Sequence, residues 1–135
     1  MDAGQMSDIT EIEQLLARYA AGMTQHDIDT VIKVFTPDGV YSVFGQDYSM
    51  TDFETLTQGA PTGLYVTSAP ALELDSANGT GTGVQPICFV SQTDHELRIG
   101  YYSDTYQRTT DGWRIASRAM TFLRRSGARD SGRPH

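Results

Sequence analysis

Cysteine is nearly absent from these 135 residues: Cys88 stands alone, so no disulfide can form within the chain. No stretch approaches the ~18 apolar residues a membrane-spanning helix needs. The opening residues, Met1 to Ser7, hold neither a basic region nor an apolar run, so no secretory signal is expected. These absences fit a reducing interior, and a cytoplasmic location is the expectation. Basic residues are also few. The 10 Lys and Arg against 17 Asp and Glu leave a net charge of −7, which excludes the broad positive footprint of a general nucleic-acid binder. No membrane partner is expected. There is no phosphate-cradling glycine loop, no nucleophile elbow and no Ser-His-Asp order.

What is present fits one domain by length. The charge is uneven. Arg124 to His135 holds four arginines and one aspartate, about +3, which leaves the body near −10 against the chain's −7. Its Ser, Gly, Arg and Pro composition cannot build a core, so 124–135 reads as a disordered basic tail. Residues 1–7 read as a flexible N-terminus and 8–123 as the folded domain.

Asp8-Ile9-Thr10-Glu11 has the form of a helix start, and Ile9, Ile12, Leu16, Tyr19, Ala20 and Met23 recur at helical spacing behind it. Asp27 can cap a second helix carrying Ile28, Val31, Ile32 and Phe35, which Thr36-Pro37-Asp38-Gly39 ends with turn chemistry. Val40 to Phe44 reads as a short strand. Thr51-Asp52-Phe53-Glu54 reads as a capping box that starts a brief third helix, and Gln58 to Gly63 as a loop. Strands follow. Leu64 to Leu74 contains Pro70, which predicts an edge or a bulge. Asn78-Gly79 turns the chain into Thr80 to Ser91, and Thr93 to Glu96 turns it again. Leu97 to Thr109 and Trp113 to Leu123 flank Asp111-Gly112, the signature of an antiparallel hairpin.

Helices first and strands after predict an α+β fold. On Leu97 to Thr109 one face carries Arg98, Gly100, Tyr102, Asp104, Tyr106 and Arg108, the other Leu97, Ile99, Tyr101, Ser103, Thr105 and Gln107. Neither is uniformly polar, which predicts that both are partly covered and that the chain forms a homodimer.

Leu16-Ala17-Arg18-Tyr19-Ala20, His26-Asp27-Ile28-Asp29, Phe35 to Val40, and Tyr102 to Arg108 with Asp111 to Ile115 occur in the order and spacing of a known family. Over roughly Ile9 to Leu123 the chain resembles the NTF2-like superfamily, and within it the SnoaL-like branch. The resemblance implies a cone in which N-terminal helices pack on a curved, mostly antiparallel sheet, enclosing a mainly apolar pocket between helix one, helix three and the sheet. The superfamily hosts ketosteroid isomerases, dehydratases, polyketide cyclases, dehydrochlorinases and noncatalytic binders, so it leaves the activity open.

Residue by residue, Tyr19 resembles the tyrosine that steroid isomerases place in an oxyanion hole, and Asp104 resembles their second, protonated donor. The position of their general base looks like Val43, which takes no proton. The Asp and His of the dehydratase and dehydrochlorinase branches fall at Met23-Thr24 and Gly63-Leu64-Tyr65. Asp104 and Tyr19 are therefore the candidate catalytic residues. Asp104 is either a pocket acid or a carboxylate paired with Arg98, Arg108 or Arg118. Tyr19 is either a ligand donor or a core tyrosine. Tyr41, Tyr65, Tyr102, Tyr106, Phe53 and Met120 are candidates to line the pocket, with core or interface packing as the alternative. Asp94, His95 and Glu96 are adjacent on a turn and cannot converge, so no metal is expected, and no cofactor. The function expected is binding of a small hydrophobic, oxygen-bearing molecule. It could include cofactor-free proton transfer as isomerisation, dehydration or cyclisation. The alternatives are a noncatalytic binding or assembly domain, or the small subunit of a larger oxygenase.

Overall fold

A computed structural model describes residues 2–134; Met1 and the tail's His135 lie outside the described residues. The first helix, α1 (Ala3–Gln25), starts earlier than the Asp8 signal suggested. Asp2 is the cap: its side chain accepts from Gln5 N at 2.7 Å, while Gln5 Oε1 accepts from Asp2 N at 3.3 Å. An equally good capping box therefore lies six residues upstream, and no proline interrupts the chain between them. The segment expected to be a flexible leader is helical from Ala3. Asp8 is a side chain on that helix instead, accepting from the Trp113 indole Nε1 at 2.9 Å. Ile12, Leu15, Leu16, Tyr19, Ala20 and Met23 form the buried stripe, and His26 ends the helix in the left-handed conformation, φ 56°.

Asp27 caps α2 (Ile28–Lys33), accepting from Thr30 Oγ1 at 2.7 Å. Phe35 is not on that helix, and Thr36 to Gly39 do not end it in a turn. All five belong to β1 (Phe35–Val43), whose register with its neighbour shifts between Phe35 and Val40. The irregularity absorbs Pro37 and Gly39, because β2 (Gln46–Tyr48) pairs only with Tyr41 to Val43 and leaves that side of 36–39 without a ladder. α3 (Met50–Gly59) is capped by Ser49, which accepts from Asp52 N, and not by Thr51. It runs into the stretch read as loop.

The Leu64 to Leu74 strand is two strands, β3 (Gly63–Thr67) and β4 (Ala71–Asp75), broken at Ser68-Ala69-Pro70. Both pair antiparallel with the long β5 (Thr80–Ser91), so the proline falls in the gap between them. β6 (Leu97–Thr109) and β7 (Gly112–Leu123) form the predicted hairpin. The path is β2-β1-β7-β6-β5-β3, parallel only between β1 and β7. The fold is thus an α+β cone with three helices on a mostly antiparallel sheet. The inner side of β6 buries Gly100, Tyr102, Asp104 and Tyr106. The outer side leaves Leu97 and Ile99 64% and 48% exposed. No helix among the described residues is long and apolar enough to cross a membrane.

The basic tail also departs from expectation. Arg124 N donates to Ala128 O at 2.9 Å, and Gly127, at φ 91°, makes the reversal that L-residues resist. A short β8 (Arg129–Asp130) then pairs with Phe122 and Leu123, and Arg124 pairs with Asp130. Gly132 O accepts from Gly45 N at 3.1 Å, tying this end to the β1–β2 turn. Composition argued against a core here, and the tail builds none; backbone ladders and one ion pair hold it instead.

Candidate functional site

A cavity of about 340 Å³ opens between α1, α3 and the inner face of the sheet. Helical spacing brings Met23 to it from α1 and Phe53 and Thr57 from α3. Strand alternation brings Tyr41 from β1, Tyr65 from β3, and Ile87 and Phe89 from β5. β6 supplies Tyr102 and Arg98, and β7 supplies Met120 and Phe122. Near the returning tail, Phe44 stacks on Phe122 with centroids 5.2 Å apart, and both belong to the wall.

Of the residues singled out in the sequence, Tyr41, Tyr65, Tyr102, Phe53 and Met120 lie together on this wall. Tyr19, Asp104 and Tyr106 do not. Asp104 is no pocket acid: it is fully enclosed, with Arg118 Nε at 2.9 Å from Oδ1 and Nη2 at 2.9 Å from Oδ2. Tyr106 donates to Oδ2 at 2.7 Å, reaching across Gly83, where a Cβ would stand 2.6 Å from the phenol oxygen. Both carboxylate oxygens are therefore committed to the protein. Tyr106 otherwise borders a separate surface groove beside Glu73 and Asp75.

Arg118 is the feature the sequence reading left open, named only as one of three possible partners. It is 0% exposed and donates also to Gln85 Oε1 at 2.8 Å, which in turn donates through Nε2 to Ser68 O. Burial opposes its charge, but the Asp104 pair and hydrogen bonds outweigh that and hold its pKa above the ordinary range. Its guanidinium lies against two rings that meet edge to face, 3.8 Å from the Tyr102 centroid and 4.5 Å from that of Tyr19. Tyr19 is a core tyrosine whose hydroxyl has no partner among the described residues. The pair thus forms a charged layer beneath the cavity, and Tyr102 is the ring between the two.

The phenols share one electrostatic state. Burial first, and then neighbouring phenols, push Tyr41 and Tyr102 well above their usual pKa, with Arg118 offsetting part of the rise. Burial pushes Tyr65 up to about 12 while the Arg98 charge pulls the other way. All three are protonated at neutral pH and available as hydrogen-bond donors. Thr57 is spent, since its hydroxyl donates to Glu54 O at 2.7 Å. Among the described residues, the wall holds no carboxylate, imidazole, thiol or amine. Asp94 accepts from Glu96 N on its turn, and no group of three or more His, Cys, Asp or Glu is placed to hold a metal among the described residues.

Ile87 and Phe89 went unnoticed in the sequence. The signal was the alternation Gly83, Gln85, Ile87, Phe89, every second residue buried, opposite the inner residues of β6.

Comparison with known proteins agrees with this architecture. The pattern of the SnoaL-like domain family matches residues 4–119. An uncharacterized protein of Mycobacterium tuberculosis is 26% identical over 131 residues, covering 90% of this chain and 89% of its own. An NTF2-like protein with a cystatin-like fold from Novosphingobium aromaticivorans superposes with a TM-score of 0.79 at 19% identity, over 91% of this chain and 88% of that one. A hexachlorocyclohexane dehydrochlorinase from Novosphingobium barchaimii reaches 0.78 at 12% identity, over 92% of each chain. At such identities the solved structures share the fold alone.

Proposed function

The chain belongs to the SnoaL-like domain family, and on that premise we propose that its cavity binds a small, mainly apolar molecule through an oxygen that accepts from Tyr41 and Tyr102. The observation that supports this is an apolar cavity of about 340 Å³ whose buried end carries phenols held protonated. A preformed apolar cleft with a few convergent donors is the usual form of a small-molecule site. Proton transfer would need a base near neutral pKa in contact with the ligand. The wall described above offers phenols raised far from that range and the Arg98 guanidinium, and Asp104 lies behind Arg118. Binding without proton transfer is therefore the reading favoured, with Asp104, Arg118 and Tyr19 as positioning residues under Tyr102.

Tyr102→Phe is expected to weaken binding of 2-acetylnaphthalene, a carbonyl probe, about fivefold, the value of one net hydrogen bond. Naphthalene itself is expected to bind parent and variant within about twofold, because it accepts no such bond. Equal loss for both probes in equilibrium dialysis would place Tyr102 in shape alone and overturn the donor role.

The reading includes a homodimer. On the outer sheet face Leu64, Val66, Val84, Leu97 and Ile99 are 44–64% exposed, and the register sets Leu64, Val90 and Leu97 in one row across three strands and Val66, Cys88 and Ile99 in the next. A continuous apolar surface of this kind favours a self-complementary contact. Sedimentation velocity is expected to show a dimer for the parent and a monomer of unchanged far-UV dichroism for Ile99→Glu. A monomeric parent would refute the contact.

A further inference from the structure

We propose that the molecule this cavity takes is an apolar carboxylic acid, its body among the aromatic side chains and its carboxylate on Arg98 at the exposed end. The inference deepens the binding reading above and rests on it. Arg98 carries the one charge in the cavity wall among the described residues. Among the described residues Arg108, Arg118 and Arg124 each have an aspartate partner; Arg98 has none, like Arg18, Arg114, Arg125, Arg129 and Arg133, and of these unpaired arginines it alone lines the cavity. It pairs across the sheet with Phe89 and stands between Leu97 and Ile99, both exposed hydrocarbon.

Burial grades along the cavity in a way that orients such a ligand. Tyr102 and Tyr41 are buried, Tyr65 is half-buried and Arg98 is exposed. The donors at the closed end are neutral and suit a carbonyl or hydroxyl oxygen. The donor at the open end is a charged planar fork that matches a carboxylate with two parallel hydrogen bonds. The charge also acts inside the cavity, since it pulls the Tyr65 phenol against the effect of burial. The protein as a whole is anionic, so its long-range field does not favour an anion, and Arg98 supplies the local charge that does. The competing account of Arg98 is a rim side chain that lays its alkyl stem over apolar surface and keeps its head in water.

Binding of 2-naphthoate and of its neutral analogue 2-naphthamide separates the two. The parent at neutral pH is expected to hold the acid at least about tenfold more tightly than the amide, the worth of a charge-assisted hydrogen bond. Arg98→Gln is expected to erase that preference while amide affinity stays within about twofold, and Arg98→Lys to keep part of it. Arg98 is exposed, so thermal denaturation of the variants should match the parent. If the amide binds but the acid binds no better, or if Arg98→Gln keeps the preference, the carboxylate assignment is wrong and the binding reading survives. If neither probe binds the parent, the binding reading fails and the assignment fails with it.

Discussion

Arg118→Met is expected to lower the free energy of unfolding by about 3–5 kcal/mol, the cost of leaving one half of a buried ion pair behind. Asp104 is fully enclosed and would keep only the Tyr106 hydroxyl as a partner, while Gln85 Oε1 would lose its donor. Domains of this size commonly have about 5–15 kcal/mol in total, so the variant should unfold early in urea. The double variant Asp104→Leu/Arg118→Met is expected to recover most of the loss, because no buried charge then remains unpaired. A double variant as weak as the single would mean that Arg118 acts through its contacts with the Tyr19 and Tyr102 rings, not through its pairing with Asp104.

Trp113→Ala is expected to cost a similar amount, about 3–5 kcal/mol, as for other fully buried aromatic side chains. Trp113 is 0% exposed, its indole donates to Asp8, and its backbone N–H donates to the Glu11 carboxylate. This one residue therefore docks the first half of α1 onto β7. The gentler Trp113→Phe carries a signature in pH. The Trp113 hydrogen bond, helped by the Arg108 charge, holds the Asp8 carboxyl below its usual range. A lowered folded pKa gives stability that is full above the unfolded value, roughly 3.9, and is lost as pH falls through the folded one. The gap between parent and Trp113→Phe should narrow as pH falls from about 5 to about 2. A constant gap would show that Asp8 adds nothing beyond packing.

The strands after Thr80 were legible because their turns are built from Asn78-Gly79 and Asp111-Gly112, which encode reversal locally. The starts of α1 and α3 were not, since Asp2 and Asp8, or Ser49 and Thr51, are competing caps and only packing chooses between them. The site was legible by type and illegible by register. Counting back from the hairpin turn sets Ser117 opposite Asp104. An irregularity between Thr105 and Tyr106 leaves Ala116 without a partner and moves Arg118 into that place. A bulge carries little sequence signal, so Asp104 stays open between a pocket acid and a partner of Arg98, Arg108 or Arg118 until the ladder is seen. Arg98 escaped for a simpler reason: a charge at the end of a strand looks like ordinary surface until a cavity is found beside it.

The tail that folds back through β8 has a consequence for how such a cavity can change over time. Phe44, Met120 and Phe122 lie in the wall, and the chain end packs where Phe44 and Phe122 stack. A cavity whose wall is braced by a segment outside the core can be reshaped by changing that segment, with the Asp104–Arg118 layer left intact. Two proteins with the same core and different residues at 124–134 could then differ in what they hold.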